Sequence, residues 1–299
     1  MRSETGAVIG AYVRSRGGIL PHASLAAAGV RDLVLEKAVG SGELIRVRRG
    51  WYAVADANPD AVRAVAAGGR LTCGPALERF GVWCLSDKRL HIGLEPGARH
   101  SGIDARFHSA RLTTPRGADP AVDSPLEALE RLATCATRIG FLVAADSALN
   151  SGLIGLAQLE RLLDRTTRGR RLLAAVDGDS ESGIETIVRV ALRRAGIELR
   201  SQVEIEGIGR VDLIVGDRLI IECDGYRWHS GREAFESDRH RDLQLSAIGY
   251  LVVRLTYRRV MEQWSDAEAE LLAMIRRGDH RWQARHGRQL HVKRTPNLA

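Results

Sequence analysis

The hydrophobic pattern of the chain changes period near residue 200. From Ser182 to Ala195 the apolar residues Ile184, Ile187, Val188, Ala191 and Leu192 recur three and four apart, which predicts a helix, with Ser180 or Ser182 available as cap and Gly196 as stop. Beyond it the period falls to two. Gln202 to Glu206 and Arg210 to Val215 read as a hairpin, and Arg218 to Asp224 as a third strand. Arg232 to Ala247 is a charged helix ended by Gly249, Tyr250 to Leu255 returns as a strand, and Val260 to Ile275 closes with an amphipathic helix. Helix, three strands, helix, strand, helix predicts a small mixed sheet covered by helices.

A different pattern opens the chain. Pro21 to Gly29 reads as a short helix and Arg31 to Val39 as a second, with Gly40-Ser-Gly42 as breaker. Leu44 to Val54 gives two short strands about Arg48-Arg49-Gly50. Two helices and a basic hairpin predict a winged helix-turn-helix, in which Arg46, Arg48 and Arg49 suit phosphate contacts. Asp32 and Glu36 beside Arg31 and Lys37 weigh against base reading, and a winged helix also serves as a protein-docking module. Between the two ends, short strands are expected at Leu90 to Leu94 and Arg106 to His108. Helices are expected at Ser124 to Ala133, Gly140 to Leu149 and Leu156 to Leu163. That middle part is expected to connect the ends and to carry no chemistry. The fold class is α/β, with a winged helix over 1–56, an α+β connecting domain over 57–178, a mixed sheet flanked by helices over 179–275, and a basic tail over 276–299.

The candidate chemistry lies where carboxylates interrupt apolar strands. Alternation puts Glu222 and Asp224 on one face and Cys223 on the other, with Asp212 in the preceding strand. An unpaired carboxylate on such a face costs several kcal/mol. Either a bound divalent cation or an arginine, Arg210, Arg218 or Arg254, must compensate it. Asp238, Arg241 and Asp242 share a helix face, as an intrahelical ion pair or as part of the site. Gln202 reaches the site or is a solvated start of its strand.

With those residues in view, Ser180 to Ile275 resembles the PD-(D/E)xK nuclease superfamily, and more narrowly the endonuclease-like domains related to very-short-patch repair enzymes. The matching residues are Ser182 and Glu185, Arg210-Val-Asp212, Ile221-Glu-Cys-Asp-Gly225 with His229, Asp238 with Arg241 and Asp242, and Gly249-Tyr250 before Val253-Arg254. The resemblance implies a restriction-endonuclease-like fold and a metal-dependent endodeoxyribonuclease, a hydrolase in DNA repair or defence. It implies Mg²⁺ or Mn²⁺ held by Asp212, Glu222, Glu185 and Asp224, with Asp238 and Gln202 in support and Arg241 on a phosphate. Asp224 stands where the superfamily usually has lysine, so His229 is the candidate for proton transfer, against its reading as a surface histidine. The first 56 residues resemble the amino-terminal domain of abortive-infection-type antitoxins, including the Arg-Arg-Gly-Trp-Tyr wing. The rival reading is a non-catalytic DNA-binding regulator or antitoxin with a degenerate nuclease fold, and an RNA nuclease is a third.

Composition narrows the partner to a polyanion without choosing it. The formal net charge is +7 over 299 residues. DNA, structured or damaged, is the expected partner. The tail after Ile275 reads as a solubilising segment or, with Trp282 among its basic residues, as a nucleic-acid arm. The cysteines at 73, 84, 135 and 223 lack paired metal-ligand spacing, and the histidines at 91, 100 and 108 read as surface or core residues and not as a metal cluster. No signal or spanning segment is legible, so a cytoplasmic protein without a membrane partner is expected.

Overall fold

The computed structural model describes residues 2–85, 87–98, 100, 102–225 and 232–283, with side chains outside the description at 2–7 and 232–238. The chain divides into two compact units, Met1–Ala174 and Ala175–Ala299. That boundary lies close to the division between 178 and 179 expected from the sequence; a further division at residue 56 rests on the sequence.

In the first unit, Ile9 and Val13 sit four apart and bury one face of a helix the pattern did not reveal, α1 (Arg2–Ser15). Strand β1 (Ile19–Pro21), helices α2 (His22–Ala27) and α3 (Asp32–Gly40), and strands β2 (Ile45–Arg48) and β3 (Trp51–Ala53) follow. β3 lies between β1 and β2, antiparallel to both. Leu20, Leu25, Leu35, Leu44 and Val54 pack with Ile9 and Val13 beneath this sheet. The two helices and the hairpin are where the pattern put them, with α1 and β1 added.

The rest of that unit runs α4 (Pro59–Ala66), β4 (Arg70–Leu71), α5 (Cys73–Glu78), β5 (His91–Gly93), β6 (Arg106–His108), α6 (Pro125–Cys135), α7 (Arg138–Asn150), α8 (Leu156–Leu163) and α9 (Thr167–Leu173). β5 is central in a second small sheet, antiparallel to β4 and parallel to β6. α6 opens with a reciprocal cap. The Glu127 N–H donates to Ser124 Oγ at 3.5 Å, and the Ser124 N–H donates to Glu127 Oε2 at 2.8 Å. Buried Asp123 is held between Arg70 and Arg131, each 3.0 Å away, so its charge is compensated inside the unit.

The second unit contains α10 (Gly183–Arg194), β7 (Leu199–Ile205), β8 (Gly209–Val215), β9 (Leu219–Asp224), α11 (Arg232–Ala247), β10 (Leu251–Thr256), α12 (Tyr257–Glu262) and α13 (Trp264–Arg276). The sheet order is β10-β9-β8-β7. β7, β8 and β9 form an antiparallel meander, and β10 lies parallel to β9 after the α11 crossover. Both faces are covered. Ile184, Val188 and Leu192 of α10 and Leu271 of α13 pack on Leu213, Leu219 and Ile221, while Leu245 and Tyr250 cover Ile214 and Ile220. The helix expected over Val260 to Ile275 breaks at Gln263, whose backbone leaves the helical region at φ −131°, ψ 30°. Val260, Trp264, Ala267 and Leu271 keep helical spacing across the break and reach one core, so the pattern does not register it.

Past α13 the chain returns to the β8–β9 turn. The N–H groups of Asp217 and Arg218 donate to the His280 carbonyl at 3.1 and 3.2 Å, and Arg218 Nη1 donates to the Asp279 carbonyl at 2.9 Å. Trp282 packs edge-on against Tyr250 with ring centroids 5.3 Å apart. Trp282, which the sequence offers to a solubilising tail or to a nucleic-acid arm, thus has its ring in the packing of the second unit. The remainder of the basic tail, 284–299, lies outside the described residues. Among the described residues no helix is long and apolar enough to cross a membrane.

Candidate functional site

Three carboxylates gather on the sheet of the second unit, and each is placed by a different element. Asp212 lies in β8, where its Oδ2 accepts from the Cys223 N–H of β9 at 2.8 Å. Glu185 lies in the first turn of α10. The helix start is fixed by Ser182, whose Oγ accepts from the Glu185 N–H at 3.3 Å, and Glu185 Oε2 accepts from the Glu181 N–H at 3.0 Å. Gln202 joins the two acids, donating through Nε2 to Glu185 Oε2 at 2.8 Å and to Asp212 Oδ1 at 3.4 Å. It sits opposite Asp212, between the Ser201–Leu213 and Val203–Val211 pairs, in a left-handed conformation at φ +49° that is strained for a side chain of its size. Of the two sequence readings of Gln202, the favoured one, a solvated strand start, does not match these contacts with both acids.

Glu222 completes the group from β9, with Oε1 accepting from Arg241 Nη2 of α11 at 3.0 Å. Arg241 also donates to the Arg210 carbonyl. Among the described residues neither Glu185 nor Asp212 has an arginine or lysine within ion-pair distance; Glu222 pairs with Arg241 and also feels the charge of Arg254. Burial first, and then the charge of Asp212, push the carboxyl groups of Glu185 and Glu222 up to about 7. Each is therefore partly protonated near neutrality, where an ordinary glutamate has lost its proton.

Asp224 stands at the rim of this group. Its Oδ1 accepts from Arg254 Nη1 at 2.9 Å, and Arg254 grips Asp242 with two further bonds of 2.9 and 2.8 Å. Of the three arginines that the sequence offered as neutralisers, Arg254 takes that part, Arg210 pairs with Glu181, and Arg218 serves the β8–β9 turn. Asp242 is thus tied across to β10. Arg254→Ala leaves both Asp224 and Asp242 without their cation; half-exposed as the trio is, a loss of about 1–3 kcal/mol in unfolding free energy is expected. Denaturant unfolding of the variant measures it, and a midpoint equal to wild type would show the pairs to be idle. Asp238 lies in α11 with its side chain outside the described residues, and His229 lies outside them altogether.

In the first unit, Arg46, Arg48 and Arg49 are exposed on and beside β2, with the Arg48 guanidinium 5.4 Å from the centre of the Trp51 ring. Between the ends, where no chemistry is expected from the sequence, Cys73, His91, His108 and Cys135 bring one ligand atom each within 4.8 Å of one another. Their spacing hid them, since no two lie within the few residues that mark a metal-binding pair. His100 stands apart and stacks on Phe107 at 3.9 Å.

Over 249 residues the chain is 29% identical to two proteins of Mycobacterium tuberculosis strains, the uncharacterized proteins MT2308 and Rv2248, covering 73% of this chain and 88% of each relative. The family model REase_MTES_1575, a restriction-endonuclease-like family, matches residues 185–275. The match begins at the first of the three gathered acids and encloses the other two, Asp212 and Glu222, with Gln202, Arg241 and Arg254; residues 185–275 form a nuclease-like domain of the restriction-endonuclease type.

Proposed function

We propose that the second unit is a metal-dependent endonuclease that cuts or nicks DNA, with Asp212, Glu222 and Glu185 as its cation-binding acids. The observation that carries this reading is the gathering of Glu185, Asp212 and Glu222 at one place, where burial first and the charge of Asp212 second raise both glutamates to about 7 although Arg241 and Arg254 act against the rise at Glu222. The donor set is all oxygen, which fits Mg²⁺ or Mn²⁺ better than a thiophilic ion. Such a cation supplies an activated water and charge for the leaving oxygen of a phosphodiester. The chain's own residues then divide the work. Gln202 and the Cys223 N–H orient Asp212, the α10 cap orients Glu185, and Arg241 is placed to meet a phosphate oxygen once Glu222 turns to the cation. Asp224 positions water at the rim, and His229 is assigned the proton transfer.

The rival reading, a regulator that grips nucleic acid with a degenerate fold, draws on the Arg241–Glu222 and Arg254–Asp224 pairs. Incubating the full chain with duplex, mismatched and branched DNA and with RNA, in Mg²⁺, Mn²⁺ or chelator, separates them. Metal-dependent cutting of DNA is expected. Binding without cutting under every condition would leave the regulator standing, and cutting of RNA alone would move the substrate class.

The basic hairpin of the first unit is proposed as a winged-helix contact to phosphates, serving a role in repair or defence. Neutralising Arg46, Arg48 and Arg49 together is expected to flatten the slope of log affinity against log salt by about one unit per lost contact. An unchanged slope on duplex DNA would assign the hairpin to another partner.

A further inference from the structure

The first unit holds a second candidate centre, unrelated in chemistry to the acids of the nuclease-like domain. Cys73 is the first residue of α5, His91 and His108 lie in the neighbouring strands β5 and β6, and Cys135 is the last residue of α6. Cys73 Sγ is 3.6 Å from Cys135 Sγ and 3.6 Å from His108 Nε2. His91 Nδ1 is 3.2 Å from His108 Nε2 and 3.8 Å from Cys135 Sγ. A tetrahedral zinc ion with bonds of about 2.3 Å to sulfur and about 2.0 Å to nitrogen has edges of roughly 3.8 Å between sulfurs, 3.5 Å from sulfur to nitrogen and 3.3 Å between nitrogens. Four of the six separations lie within about 0.3 Å of those edges, and the other two, Cys73 to His91 and Cys135 to His108, are no longer than 4.8 Å.

Two further features suit ligands. The far ring nitrogen of His91, Nε2, is 3.1 and 3.2 Å from the two Asp87 carboxylate oxygens, which fixes its proton there and turns the Nδ1 lone pair inward. Cys73 is held in a left-handed conformation, φ +53°, an unfavourable backbone for a side chain unless something fixes it. Cys73 and His91 are buried, with 0% and 5% of their surface exposed, and Cys135 and His108 are half-buried.

We propose that Cys73, His91, His108 and Cys135 bind one zinc ion in a closed Cys₂His₂ site. Both thiols give up their protons on binding, and both imidazoles bind neutral. Four protein ligands leave no open position for substrate, so the ion is structural. It ties the start of α5, the β5–β6 pair and the end of α6, joining strands of three residues that have few ladder bonds of their own.

The test uses the full chain, purified with its thiols reduced from zinc-containing medium. Elemental analysis is expected to find about one zinc per chain. Cobalt exchanged into the protein is expected to show visible bands of a tetrahedral ion and thiolate-to-cobalt charge transfer, which the oxygen ligands of Asp212, Glu222 and Glu185 cannot produce. Cys135→Ser and His108→Asn are expected to lose the ion; Cys84→Ser, His100→Asn and Asp212→Asn are expected to keep it. Should the ligand variants fail to fold, X-ray absorption on the wild-type zinc protein decides, with two sulfurs at about 2.3 Å and two nitrogens at about 2.0 Å expected. A shell of oxygen and nitrogen alone would overturn the proposal. So would substoichiometric zinc after reconstitution, zinc retained by a folded Cys135→Ser protein, or a Cys73–Cys135 disulfide in protein kept reducing.

Discussion

Asp212→Asn is expected to give a protein that folds, binds DNA and does not cut it, with cleavage down by on the order of a thousandfold or more. Asparagine keeps the geometry, because its carbonyl can still accept from the Cys223 N–H and Gln202 can turn its amide to suit. What disappears is the charge at the centre of the cluster. The same substitution is expected to stabilise the protein near pH 7 by up to about 1 kcal/mol, since the charge of half-buried Asp212, second to burial among the causes, then no longer raises the carboxyls of Glu185 and Glu222. Thermal melting and a gel-based cleavage assay on one preparation test both halves. Cutting at the wild-type rate would remove Asp212 from the chemistry, and an unchanged or lowered melting point would mean that the acids are compensated by something other than one another.

In chelator, unfolding stability is expected to fall as pH rises from about 4.5 to about 7. Glu185 and Glu222 titrate near 7 in the folded chain but near an ordinary 4.5 in the unfolded one, so the folded state binds more protons across that window. Their stabilising contribution is complete below 4.5 and is lost as the pH passes through 7. Each group contributes about 3 kcal/mol at most to the total loss across that window, and the two together less than twice that because they share a neighbour. Added Mg²⁺ is expected to reverse the trend above pH 7, where deprotonated acids bind it and protons are released. Denaturant midpoints between pH 5 and 8, with and without Mg²⁺, measure this. A profile flat in chelator, or no gain from Mg²⁺ at pH 8, would refute the account of these acids as an unbalanced cation site.

The second unit was largely legible in the sequence because charge and periodicity disagree there. An aspartate and a glutamate inside runs such as Val211 to Val215 and Leu219 to Cys223 are visible as misfits before any fold is known. The partners of those acids were less legible. Gln202 reaches both Glu185 and Asp212 through a left-handed backbone that no residue pattern announces, and Arg241 meets Glu222 only because the α11 crossover lays one helix face over β9. Asp242 shared a helix face with Asp238 and Arg241 in sequence terms, yet it is committed to Arg254 on a strand twelve residues later. The Cys73, His91, His108 and Cys135 group left no local trace, since its members are assembled by two helix ends and a parallel strand pair with long connections.

The return of the chain to the β8–β9 turn bears on where this domain can be cut. The family match stops at residue 275, which invites a fragment ending there. Such a fragment would lack the His280 carbonyl that caps the amides of Asp217 and Arg218, the Asp279 carbonyl that holds Arg218, and the Trp282 ring on Tyr250. Gly216 is shaped to this strap: it sits at φ +62°, and a β-carbon there would lie 2.5 Å from the His280 oxygen. β9, which carries Glu222 and Asp224, starts from that turn. Inactivity in a fragment stopped at Ile275 would therefore report a loosened strand as readily as a missing basic tail, and a fragment of the second unit extended through Gln283 separates the two.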